Sequence, residues 1–101
     1  MLSVEKRKNE LVVRFSGDID HNAAMQIRCK LDAMLDDHQI RRLIFDMRDV
    51  EFMDSSGIGM LIGRYKIMRS KGGSVAVTGV DRRVNKIFEM AGLYQIIEKL
   101  A

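Results

Sequence analysis

Arg42-Leu43-Ile44-Phe45-Asp46-Met47 and, after a short loop, Asp54-Ser55-Ser56-Gly57-Ile58-Gly59 decide the fold of this chain. The first run is short, mostly apolar and bounded by charge, the pattern of a buried strand. In the second, three residues able to cap a helix precede apolar positions at helical spacing: Ile58, Leu61, Ile62, Tyr65 and Met68. The helix is predicted to run to about Lys71 and stop at Gly72-Gly73, before a further strand over Ser74 to Thr78. Strand, helix and strand in this order make a parallel crossover.

Working outward, Leu2 to Lys6 and Glu10 to Ser16 read as two strands joined at Lys8-Asn9, with Leu11, Val13 and Phe15 alternating against Val12 and Arg14. Gly17-Asp18-Ile19-Asp20 breaks that pattern. Ala23, Ala24, Ile27, Leu31, Met34 and Leu35 then mark a helix face ending at Asp36-Asp37. Asp81 is placed to cap a third helix, with Val84, Ile87, Phe88 and Ala91 inward and Gly92 at its end. Tyr94 to Leu100 suits either a short strand or a helical tail. The expected fold is α/β: one domain over residues 1–101, a mixed sheet of about four to five strands (N-terminal hairpin, then parallel strands) and three to four helices.

Composition narrows the function. The 101 residues suffice for one core, and 47% hydrophobic with 31% charged residues is an ordinary globular balance. No apolar run reaches the ~20 residues needed to span a bilayer, and the first residues lack the apolar core of a signal peptide. The lone Cys29 has no cysteine to pair with and no companions for a structural zinc site, which points to a reduced, cytoplasmic setting. A net charge of +3 invites a nucleic-acid reading, but the basic residues are dispersed among acids. Phe15, Phe45, Phe52 and Phe88 sit inside apolar patterns and are expected in the core, not on a base-stacking surface. Neither nucleic acid nor membrane is an expected partner.

The helix start at Asp54 is the place for chemistry, because unpaired backbone N–H groups and the helix dipole favour a phosphate, either bound or attached to serine. Hydrolysis is a poor fit: Ser55 and Ser56 lie in no Gly-x-Ser-x-Gly elbow, and His21 and His38 are the only histidines. A nucleotide loop fits poorly too. Its glycines precede the helix, whereas Gly59 and Gly63 fall inside it and no Walker lysine follows. Two accounts of these glycines stay open. They permit close packing on a neighbouring element, or they belong to an outer face on which Met60 and Ile67, beside Arg64 and Lys71, meet a partner. In an α/β sheet, Gly17-Asp18-Ile19-Asp20-His21 and Met53-Asp54-Ser55-Ser56-Gly57 both lie where a strand gives way to a helix, so the two loops are expected to face each other across one rim.

The run Phe52-Met53-Asp54-Ser55-Ser56-Gly57-Ile58-Gly59, continued by Gly63-Arg64-Tyr65-Lys66 and Gly72-Gly73, resembles the signature of the STAS-domain anti-sigma-factor antagonists, most of all the sporulation members of the sigma-F pathway. Gly17-Asp18-Ile19-Asp20-His21 is similar to the family's Gly-Glu-Leu-Asp-His, and Phe88-Glu89-Met90-Ala91-Gly92-Leu93 to its Phe-Asp-Met-Ser-Gly-Leu. Asn22 stands where a second histidine is common, Asp81-Arg82-Arg83 replaces a Ser-Pro lead, and the sequence given reaches Ala101, where sporulation members usually continue into a final helix.

The resemblance implies a phosphorylation-controlled binding module that is not an enzyme and needs no cofactor or metal. Its unphosphorylated form binds an anti-sigma factor serine kinase and so releases the sigma factor; phosphorylation of the motif's first serine, here Ser55, ends binding, and a metal-dependent serine phosphatase reverses it. Asp20, Asp54, Ser56 and Gly57 are expected around that serine. The partner surface is expected on Asp18, His21 and Asn22, on Gly59, Met60, Gly63, Arg64 and Ile67 of the helix's outer face, and on Asp81 and Arg82. The alternatives are a nucleotide- or phosphate-binding STAS protein and a structural STAS subunit of a larger signalling complex.

Overall fold

The computed structural model describes residues 1–100. Strands β1 (Leu2–Arg7) and β2 (Glu10–Phe15) form the expected antiparallel hairpin, with Lys8 at φ 55° in its turn. Helix α1 (His21–Leu35) leads to β3 (Arg42–Asp46), α2 (Ser55–Ser70) to β4 (Ser74–Thr78), and α3 (Arg82–Met90) to a 3-10 turn (Leu93–Gln95) and the two-residue strand β5 (Glu98–Lys99). Tyr94 to Leu100, ambiguous in sequence, is thus divided between a turn and a short edge strand. The five strands lie in sequence order, β1-β2-β3-β4-β5, and every pairing after the hairpin is parallel.

Register explains the core. Leu11 pairs with Leu43 and Leu43 with Val75, while Val13, Phe45 and Val77 form the next row, and all six are buried. With a period of two these side chains share one face of the sheet. Helix α1 buries Ala23, Ala24, Ile27, Leu31 and Leu35 of the predicted face, leaves Met34 half-buried, and packs beside α2. Two successive crossovers of the same hand place both helices on one face and start both at the carboxyl edge of the strands.

The stop of α2 is built by Gly72, whose φ of 76° few other residues adopt without cost. There Gly73 N–H donates to Met68 O at 2.7 Å and Gly72 N–H to Arg69 O at 3.1 Å, the paired bonds of a Schellman ending. Beyond α3, Tyr94 lies 5.3 Å from Phe88 between ring centres and donates to Asn85 Oδ1 at 2.6 Å, which pins the C-terminal segment. Within α3, Val84 and Phe88 are buried, but Ile87 is half-buried and Ala91, which caps the helix, is exposed.

Two further sequence expectations about burial fail. Phe52 is 51% exposed, because Val50 and Met53 take the inward positions of its loop. In α2 the buried stripe is Gly57, Met60, Leu61, Arg64 and Met68, while Ile58, Ile62 and Tyr65 are half-buried. Met60 and Arg64 are therefore not on the outer face, and Ile67 is only half-buried. Hydropathy assigns Gly and Arg outward, yet here Gly57 is drawn in by the bridge below it and Arg64 reaches Asp32 of α1.

Candidate functional site

The loops after β2 and β3 are tied together by backbone. Ile19 and Met53 form an isolated parallel bridge. Ile19 N–H donates to Phe52 O at 3.0 Å, Asp54 N–H to Ile19 O at 3.2 Å, and Gly17 N–H to Asp49 O at 3.0 Å. Both bridge side chains are buried, so the rim is anchored from beneath as well as zipped along its length. The expectation that the two loops face each other is met.

Each helix start on this rim has its own aspartate cap. Asp20 accepts from Ala23 N–H at 2.9 Å. Asp54 accepts from Ser56 N–H at 2.8 Å and Gly57 N–H at 3.2 Å. These satisfy donors that no helical carbonyl reaches. Ser55, the first residue of α2, is exposed, and no hydrogen bond to its hydroxyl or its N–H is found among the described residues. Since Asp54 does the capping, the Ser55 hydroxyl is free of a structural role.

Gly57 lets the helix start lie on the bridge. A Cβ there would meet Met53 Cγ, Ile19 Cγ2 at 2.9 Å and the Ile19 carbonyl oxygen at 3.1 Å. Gly59 and Gly63 are different: a Cβ at either position would meet nothing within 4 Å. Close packing therefore does not account for them. They keep open a groove of about 360 Å³ between α1 and α2, lined by His21, Ala24, Met25, Arg28, Ser56, Gly59, Met60, Gly63 and Arg64. At its head His21 Nδ1 lies 3.4 Å from Ser56 Oγ.

Arg64 is the unusual group. It is 6% exposed, its Nη2 lies 3.3 Å from Asp32 Oδ1, and its Nε and Nη1 have no hydrogen-bond partner among the described residues. Burial holds its guanidinium below the ordinary arginine range; Asp32 opposes this and nearby Arg28 adds to it. Most other ion pairs on the surface are exposed, as in Lys6–Asp37 at 3.1 Å and Arg14–Asp49 at 2.8 Å, where pairs contribute little.

The structure brings together His21, Ser56, Gly59, Met60, Gly63 and Arg64 in one groove, and Ser55 and Asp54 directly precede its Ser56 in the chain. It leaves others apart. Asp18 and Asn22 are exposed on the rim without lining the groove, and Asp20 is engaged as a cap. Ile67 lies further along α2, outside the lining. Asp81 caps α3 by accepting from Val84 N–H at 2.9 Å and, with Arg82, is exposed after the carboxyl end of β4. Sequence reasoning missed Met25 and Arg28. Their signal was their spacing from His21, which puts all three on one stripe of α1 beside its core stripe.

A parallel-strand α/β domain with two capped helix starts locked on one rim is the class of protein this site defines, and the chain belongs to the STAS-domain family, whose model matches residues 1–101. It is 34% identical over 96 residues to the anti-sigma F factor antagonist of Paenibacillus polymyxa, covering 95% of this chain and 82% of that protein. It is 30% identical to the anti-sigma-B factor antagonist of Bacillus subtilis, covering 96% and 87%. Within the family it stands among the anti-sigma factor antagonists. In structure it is similar to the anti-sigma factor antagonist SpoIIAA in its unphosphorylated form, with TM-score 0.82 and 24% identity over 100% of this chain and 88% of that one. It is also similar to the Bacillus cell fate determinant SpoIIAA in the phosphorylated form, with TM-score 0.80 and 25% identity over 100% and 92%. No helix among the described residues is long and apolar enough to cross a membrane.

Proposed function

We propose that the unphosphorylated chain binds an anti-sigma factor that is also a serine kinase, releasing the sigma factor which that kinase holds. Phosphate on Ser55 ends the binding, and a metal-dependent serine phosphatase restores it. The observation that carries the reading is the exposed Ser55 hydroxyl at the first position of α2, relieved of capping by Asp54 on a rim locked by backbone bonds. The relatives are antagonists of anti-sigma factors by name, and SpoIIAA has been solved in unphosphorylated and phosphorylated forms.

The switch follows from electrostatics. Phosphorylation adds about −1.5 to −2 charges at the helix start. Within the domain that charge meets the positive end of the α2 dipole. Across an interface it must be desolvated beside Asp54, and a hundredfold loss of affinity needs only about 2.7 kcal/mol.

Mixing the chain with the anti-sigma kinase from the same genome, with and without ATP, tests the reading by calorimetry and fragment mass mapping. A complex forms without ATP and dissolves as Ser55 becomes phosphorylated. Binding that persists at full phosphorylation, or phosphate on Ser56 alone, would overturn it.

A further inference from the structure

The groove between α1 and α2 is lined by donors and cations. His21, Arg28, Ser56 and Arg64 supply its polar groups, and among the described residues no carboxylate lines it. Two guanidinium groups come near each other there, while the nearest acid, Asp32, is half exposed and pairs with only one nitrogen of Arg64. Two further nitrogens of that buried side chain have no hydrogen-bond partner among the described residues. A buried guanidinium without full pairing is costly, and the arrangement lacks the acceptor that would complete it. Ala24, Met25 and Met60 form apolar walls, and the missing side chains of Gly59 and Gly63 leave the entrance clear.

Resting on the function proposed above, we infer that this groove receives an acidic side chain of the partner protein, an aspartate or glutamate flanked by an apolar neighbour, seated among His21, Arg28 and Arg64. Charge complementarity and continuity with the Ser55 rim identify the occupant as part of the partner's binding surface. Adjustable methionine side chains and an arginine suit such a protein contact. The same seat explains the switch: a phosphate on Ser55, next to the groove-lining Ser56, brings negative charge to the groove head and repels the incoming carboxylate.

Arg28 is exposed and reports on the groove without removing a core residue. Arg28→Glu should weaken kinase binding at least tenfold, Arg28→Gln less, and both should flatten the salt dependence of the affinity. An acid-to-lysine substitution at one position on the kinase should then restore binding to the Arg28→Glu chain. Unchanged affinity and salt dependence for Arg28→Glu would overturn the inference.

A second arm needs no kinase. Titrating glutarate into the isotope-labelled chain should shift the amides of Gly59 and Gly63 and the Nε–H of Arg64, with neither glutaramide nor the Arg28→Glu chain showing the effect. Absence of those shifts would overturn the anion seat. If the unmodified chain fails to bind the kinase while glutarate still shifts these groups, the proposed function falls and the anion preference of the groove stands.

Discussion

Ser55 and Ser56 adjoin at one helix start, yet their surroundings separate them. Ser56 N–H is held by Asp54 and its hydroxyl lies near His21, whereas Ser55 is exposed and its hydroxyl has no hydrogen bond among the described residues. Ser55→Ala should bind the kinase as the parent chain does but no longer be released by ATP, as read by complex stability over time. Ser55→Asp should imitate the phosphorylated form only in part, since one carboxylate has less charge and fewer acceptor oxygens. Arg64 poses the opposite case, a residue whose folded-state position is unfavourable. Arg64→Met should leave the unfolding free energy unchanged or raise it by about 1 kcal/mol, because an incompletely paired buried charge is replaced by an apolar chain of similar reach. The same variant should bind the kinase more weakly. A loss of stability above about 2 kcal/mol in denaturant titration would show that the Asp32 pair holds the fold.

At the scale of the element, α2 has one side of its glycines filled and the other open. Gly57→Ala places a methyl against the Ile19 carbonyl oxygen, which cannot move without breaking the bridge to Met53. Overpacking of this kind costs about 1–3 kcal/mol, and amide exchange at Ile19 and Asp54 should quicken with it. Gly63→Glu meets open space instead, so its melting temperature should stay near that of the parent. Its kinase affinity should fall by at least tenfold, since the new carboxylate enters the groove. Equal affinity would show that the partner does not use this face of α2.

For the whole molecule, the rim is anchored by backbone bonds and by buried Ile19 and Met53, so charge added at Ser55 has no loose element to displace. Backbone chemical shifts before and after phosphorylation should differ near residues 18–22 and 53–60. Large changes through β2 to β4 would replace this account with a conformational switch.

Much of this molecule is dictated locally. Alternation in Glu10–Phe15, the β-α-β run from Arg42 to Thr78, the Asp81 cap and the Gly72-Gly73 stop are short-range signals, and they placed the elements and brought the start of α2 to within Asp54-Ser55-Ser56 because each depends on a few neighbouring residues. Orientation of α2 was not among them. Which of its sides faces inward depends on Ile19 and Asp32, which come from other elements, so Met60 and Arg64 went inside and Ile58, Ile62 and Tyr65 to the flank. The groove likewise needs α1 beside α2 before His21, Met25 and Arg28 meet Gly59 and Gly63. Periodicity reports that a helix has an apolar side; only packing of the whole chain decides where that side ends and what a missing side chain leaves open.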